Sequence, residues 1–178
     1  MEEKKTSLGA HTLMYGVGTG VVLIIYTLIM YVANLYLNTT LKYLSFVILI
    51  AGMVIGAIHY RKVALNGFMT YGQAFSVNFL IGLFATIVSI IFFFFYIKYI
   101  NTGMLGELLE QARANIEAKG GNLSQEQMDQ AMAMTEKFIS PGWMVVLGFL
   151  GNTFWAAVFS LIIAIFLKKN DPNAPKMI

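Results

Sequence analysis

A chain of 178 residues that is 58% hydrophobic and only 12% charged is not built for water, since soluble domains carry about 25% charged residues. It has no cysteine, which excludes disulfides, thiolate catalysis and cysteine-ligated metals. Its net charge of +3 sits in clusters that flank apolar segments, so it reads as a topology signal and not as a nucleic-acid surface.

Four runs hold no Asp, Glu, Lys or Arg: residues 6–41, 43–60, 63–97 and 138–167. A bilayer core of about 30 Å needs roughly 20 apolar residues in helical form, and each run is close to that length or beyond it. The expectation is an all-α integral membrane protein with four transmembrane helices in a single membrane domain, 1–178. The start, Met1-Glu-Glu-Lys-Lys5 and then an apolar run, has the outline of a signal peptide. Its run far exceeds the roughly 7–15 residues of such a segment, and no small-x-small cleavage site closes it. A retained signal-anchor is expected.

The first helix is predicted over about 12–37 and the second over about 41–60, joined by a tight turn at Asn38-Thr39-Thr40 and ended by Arg61-Lys62. The first carries Gly16-Val-Gly-Thr-Gly20 and the second Gly52-Met-Val-Ile-Gly56, both of the G-x-x-x-G form that lets helix backbones approach closely. Measured from Thr12 and Tyr60, Gly16 and Gly56 lie at one depth, roughly 6 Å, and Gly20 and Gly52 at another, roughly 12 Å. The two notches are therefore expected to share one contact. Asn66-Gly67 and Gly72 mark a loop, with Phe68 and Tyr71 at the membrane interface. The third helix follows over about 74–97 and ends in Phe92-Phe93-Phe94-Phe95-Tyr96, suited to a membrane boundary. The fourth, about 141–167, opens at Ser140-Pro141, a cap followed by proline at the first helical position.

Residues 98–139 are the one sizeable polar segment, with six acids and four cations. Leu105, Leu108, Leu109, Ala112 and Ile116 recur at helical spacing, Gly120-Gly121 breaks the pattern, and Ser124-Gln125-Glu126-Gln127 reads as a capping box. The helix it opens carries Met128, Ala131, Met132, Thr135 and Phe138 along one side. Two amphipathic helices joined by a glycine turn make a helical hairpin.

Four spans place both termini and the Arg61-Lys62 loop on one side. That side holds seven cations against three acids, and the other five cations against six acids. The positive-inside rule puts the termini in the cytoplasm and the hairpin outside.

Several segments carry a family resemblance in their order: Asn66-Gly-Phe-Met-Thr-Tyr-Gly-Gln-Ala-Phe75, Tyr96-Ile-Lys-Tyr-Ile-Asn101, Leu123-Ser-Gln-Glu-Gln-Met128, Lys137-Phe-Ile-Ser-Pro141 and Ser160-Leu-Ile-Ile-Ala-Ile-Phe-Leu-Lys-Lys169. Together they resemble domain-of-unknown-function family 4199, small bacterial four-helix membrane proteins. The resemblance covers nearly the whole chain and implies a bacterial inner membrane. It implies no activity and no catalytic residue. Where that family usually has Asn-Pro after the third helix, this chain reads Asn101-Thr102, which weakens the sharp break expected there.

His11 and His59 are the only ionisable residues near the spans, both at cytoplasmic helix ends, and read as interfacial polar residues. Asn152 and Thr153 are the most polar residues at depth in the fourth helix, Asn152 roughly 16 Å from Pro141. They admit two readings: a polar site for a ligand or permeating solute, or a hydrogen bond from Asn152 to Thr86, Ser89 or Thr27. Trp155, at similar depth, is expected inside the bundle. Met128, Met132 and Met134 have the thioethers of a Cu(I) site, but without cysteine or a nearby histidine they read as packing. No metal, cofactor-binding or catalytic constellation emerges, and no cofactor is expected. Three classes stay open. The first is an interaction or structural component whose segment 101–139 docks on another envelope protein. The second is a small oligomeric transporter or channel, with a path between protomers of a homo-oligomer. The third is a lipid enzyme at the membrane face.

Overall fold

The computed structural model describes residues 7–119 and 124–172. Among them the chain is all-α: α1 (Leu8–Val32), α2 (Thr39–Ala64), α3 (Tyr71–Phe95) continued by a π-helical turn (Tyr96–Ile100), α4 (Met104–Lys119), α5 (Gln125–Phe138) and α6 (Pro141–Leu167). Four of these, α1, α2, α3 with its π-helical end, and α6, are long and apolar enough to cross a membrane.

Local chemistry sets the ends. Ser7 caps α1 by accepting from the Ala10 N–H at 3.2 Å. The helix was expected to run to residue 37 but stops at Val32, because Asn34 turns left-handed at φ 56°. Asn34 N–H then bonds Tyr31 O and Leu35 N–H bonds Met30 O, which satisfies two end carbonyls in the Schellman manner. Asn38 caps α2 through the Leu41 N–H, 3.1 Å. Arg61-Lys62 does not end α2; the pair occupies its last turn, where cations complement the helix dipole. Asn66 (φ 51°) and Gly67 (φ 86°) then reverse the chain. α3 begins at Tyr71, ahead of the expected residue 74, because Thr70 and Gln73 satisfy each other's N–H groups at 2.9 and 3.3 Å. Asn101-Thr102 still breaks the third span: Asn101 N–H closes the π-helical turn on Tyr96 O, and its side-chain amide donates to the Tyr96 hydroxyl at 3.1 Å.

Contacts divide the chain into two compact units. The first comprises the chain up to Ser89 together with the part from Gly151. Its core is Leu49, Met53 and Ala57 of α2, Ala74, Val77, Ile81 and Ala85 of α3, and Ile163, Ala164 and Leu167 of α6, with Met69. Many of these are small, as close helix packing inside lipid requires. At one end of this unit Met69 and Lys169 exchange two backbone hydrogen bonds of 2.8 Å. Beside them Arg61 Nη1 donates to Leu167 O at 2.9 Å, satisfying a carbonyl at the C-terminus of α6. Lys169 stands over the Phe68 ring, 5.6 Å from its centroid.

The second unit is Ile90–Leu150. In it α4 and α5 lie against each other. Ser124 and Gln127 form the capping box of α5 at 3.0 and 3.3 Å. The expected Gly120-Gly121 turn falls outside the described residues. Ser140 donates its hydroxyl to Lys137 O at 2.8 Å, and Pro141 opens α6.

Candidate functional site

A cluster of polar and aromatic side chains in the first unit joins α1 to α2. His11, near the start of α1, is 2% exposed, so its ring is buried among neighbouring side chains. Its Nε2 lies 2.9 Å from the carbonyl of Gly56. A carbonyl can only accept, so Nε2 carries the proton in this contact. Around the imidazole stand Tyr15 (ring centroids 4.7 Å), Tyr60 (5.0 Å) and the stacked ring of His59 (5.3 Å, 13° between planes). His59 itself is exposed, so the structure separates the two histidines into a buried ring and an open one. Among the described residues no three His, Asp or Glu side chains converge.

Gly56 serves this cluster twice. Its carbonyl receives His11, and a Cβ on it would stand 2.9 Å from Tyr15 Cγ and 2.6 Å from Ile81 Cδ1. Gly52 lies under Thr19, whose own Cβ would be 2.9 Å from an added Cβ. Gly16 and Gly20 face α3 instead: an added Cβ would meet Ile81 O at 2.9 Å from Gly16, and Ala85 O at 3.2 Å from Gly20. All four glycines therefore lie at close helix contacts. The expected meeting of the two notches does not occur. Equal depth does not imply equal azimuth, and α1 turns its glycine notch toward α3 while offering Tyr15 and Thr19 to α2.

Asn152 is exposed on α6 and makes no hydrogen bond among the described residues, so it bonds none of Thr86, Ser89 and Thr27. Thr27 donates to its own Leu23 O at 3.0 Å. Thr153 turns inward, and its hydroxyl is buried without a partner. Consecutive helical residues stand about 100° apart, so an inward Thr153 sends Asn152 to the edge of the outer surface. Trp155 is likewise outside, 44% exposed, stacked on Phe159 (5.6 Å) and tilted against Phe46 of α2 (5.9 Å).

The polar residue that the sequence reading passed over is Asn78 of α3. It is fully buried; Nδ2 donates to Ala74 O at 2.7 Å while Oδ1 has no partner. An amide inside the charge-free run 63–97 was its visible signal. Ser89 Oγ is also buried and unpartnered, so the orphaned oxygens found here all belong to α3 and α6.

In the second unit, Leu108, Leu109 and Met132 are partly covered, whereas Met134 is 64% and Phe138 42% exposed. Phe138 meets Trp143, itself 41% exposed, edge-on at 5.7 Å. Met128 and Met132 share a side of α5 and Met134 does not, so the three thioethers do not converge.

Compared with known proteins, the chain matches a family model over residues 14–169, described as "Protein of unknown function (DUF4199)". No curated protein and no solved structure matches it.

Proposed function

Because the chain belongs to the DUF4199 family of proteins of unknown function, its role has to be argued from its own surfaces, and we propose that it is an interaction component of the bacterial inner membrane. In this reading both termini are cytoplasmic and α4–α5 form an extracytoplasmic hairpin that docks on another envelope protein. One observation carries it: α5 contains no buried residue, and Met134 and Phe138 stay uncovered although α4 lies against it. Had the hairpin been self-sufficient, Leu108, Leu109, Met132 and Phe138 would all be buried against one another. An amphipathic helix with uncovered apolar anchors is suited to filling a groove on a partner. The polar face of α4 and α5 lacks the Lys/Arg richness of helices that lie on lipid, which favours a protein partner.

The test is mild-detergent co-purification with tagged protein, whole and with residues 104–138 replaced by a short linker. The proposal expects a stoichiometric partner that the deletion loses while insertion continues. Unchanged partners would overturn it. The second reading, a small oligomeric transporter, draws on the unpartnered oxygens of Asn78, Ser89 and Thr153, which would suit a polar path.

A further inference from the structure

Asn152 presents an amide to lipid near the middle of a span, where the solvent offers nothing to bond it. The residues that share its side of α6 follow a heptad: Asn152, Phe159 and Phe166 are spaced by seven, and Trp155 and Ile162 stand three residues after Asn152 and Phe159. This is the a/d stripe of a coiled coil, with Asn at an a position. The stripe is open toward its C-terminal end, where Ile162 is 49% and Phe166 78% exposed, while Trp155, 44% exposed, and the half-buried Phe159 rest partly on Phe46 of α2. Gly151 adjoins it with nothing within 4 Å of where its Cβ would be, so a second helix can come close there.

We propose that this side of α6 is a homodimer interface, in which a second copy packs α6 against α6 in parallel and Asn152 bonds Asn152. The occupant follows from symmetry and chemistry. Two copies inserted the same way are related by a twofold axis along the membrane normal, which brings each residue opposite itself at equal depth. An amide is both donor and acceptor, so it satisfies its own copy. A single a-position Asn fixes register and a two-stranded state in parallel helices. In lipid it also drives association, because the separated helices leave the amide unbonded. The interface does not involve the hairpin and stands whether or not the hairpin binds a partner.

The natural absence of cysteine makes the test direct. Full-length Ile162→Cys and Phe166→Cys are oxidised in native membranes beside Leu161→Cys and Ile165→Cys, which are 47% and 55% exposed but off the stripe. Disulfide dimers are expected from the first pair and not from the second. Equal cross-linking from both pairs, or none from the first, would overturn the proposal. In a second measurement, dimer dissociation in bilayers is followed by energy transfer for the wild type, Asn152→Leu and Asn152→Gln. Asn152→Leu is expected to raise the dissociation constant roughly 3- to 30-fold, with Asn152→Gln close to wild type. A monomeric wild type, or a dimer that Asn152→Leu leaves unchanged or tightens, would refute it.

Discussion

His11 and Gly56 are joined across the α1–α2 interface by a hydrogen bond of 2.9 Å, imidazole Nε2 to backbone carbonyl, and His59 stacks over that buried ring from outside. Replacing His11 by Ala removes the bond and leaves a cavity under Tyr15 and Tyr60, at a cost of about 2–4 kcal/mol. His59→Ala, at an exposed position, should change stability by about 0.5 kcal/mol or less. Unfolding in mild detergent measures both, and equal effects would contradict the separate roles given to the two rings.

The glycines of α1 divide into two kinds that alanine distinguishes. A methyl at Gly16 or Gly20 meets backbone atoms of α3, which cannot step aside, so Gly16→Ala and Gly20→Ala should each cost about 1–3 kcal/mol. Gly18 has nothing within 4 Å, and Gly18→Ala should be neutral or stabilise by up to about 1 kcal/mol through helix propensity. The same unfolding measurement checks it; a destabilised Gly18→Ala or an indifferent Gly16→Ala would contradict the placement of α1 against α3.

Asn78 keeps one oxygen buried and unbonded, which a structural role alone does not require. Asn78→Leu replaces an orphaned acceptor by an apolar group of similar shape, so stability should stay within about 1 kcal/mol of wild type or rise. If Asn78 instead bonds a group that the fold depends on, the variant will lose stability, and detergent unfolding will show it.

These residues also mark the boundary of what the sequence made legible. The four charge-free runs disclose four helices because lipid tolerates so few alternatives. The Ser124-x-x-Gln127 box is readable because its two hydrogen bonds are local. Thr70-x-x-Gln73 carries the same signature, but Gly72 inside it also reads as a turn residue, which moves the expected helix start to residue 74. The end of α1 was not readable, since Asn34 turns left-handed only where the chain must reverse into α2. Azimuth was the main loss. In helices apolar all round, periodicity does not tell the inward face from the outward one. Hence Asn152 and Trp155 turned out to face outward, Asn78 was passed over, and the two glycine notches found different partners.

Sidedness rests on charge. Reporter fusions at Lys5, Asn66 and Ile178 should report cytoplasm, and one at Gly120 the opposite side. A cytoplasmic signal from Gly120 would contradict the orientation.

The central claim, that the uncovered apolar side chains of the hairpin hold a partner protein, is tested most directly by two charges. Met134→Glu and Phe138→Glu together should leave insertion and abundance unchanged and lower stability by no more than about 1.5 kcal/mol, the contribution of the Phe138–Trp143 ring pair. Quantitative co-purification from native membranes should then show the stoichiometric partner of the wild type reduced at least about tenfold, the loss expected when two groove-filling anchors are charged. Partner recovery equal to wild type from a stably inserted double variant would contradict the account.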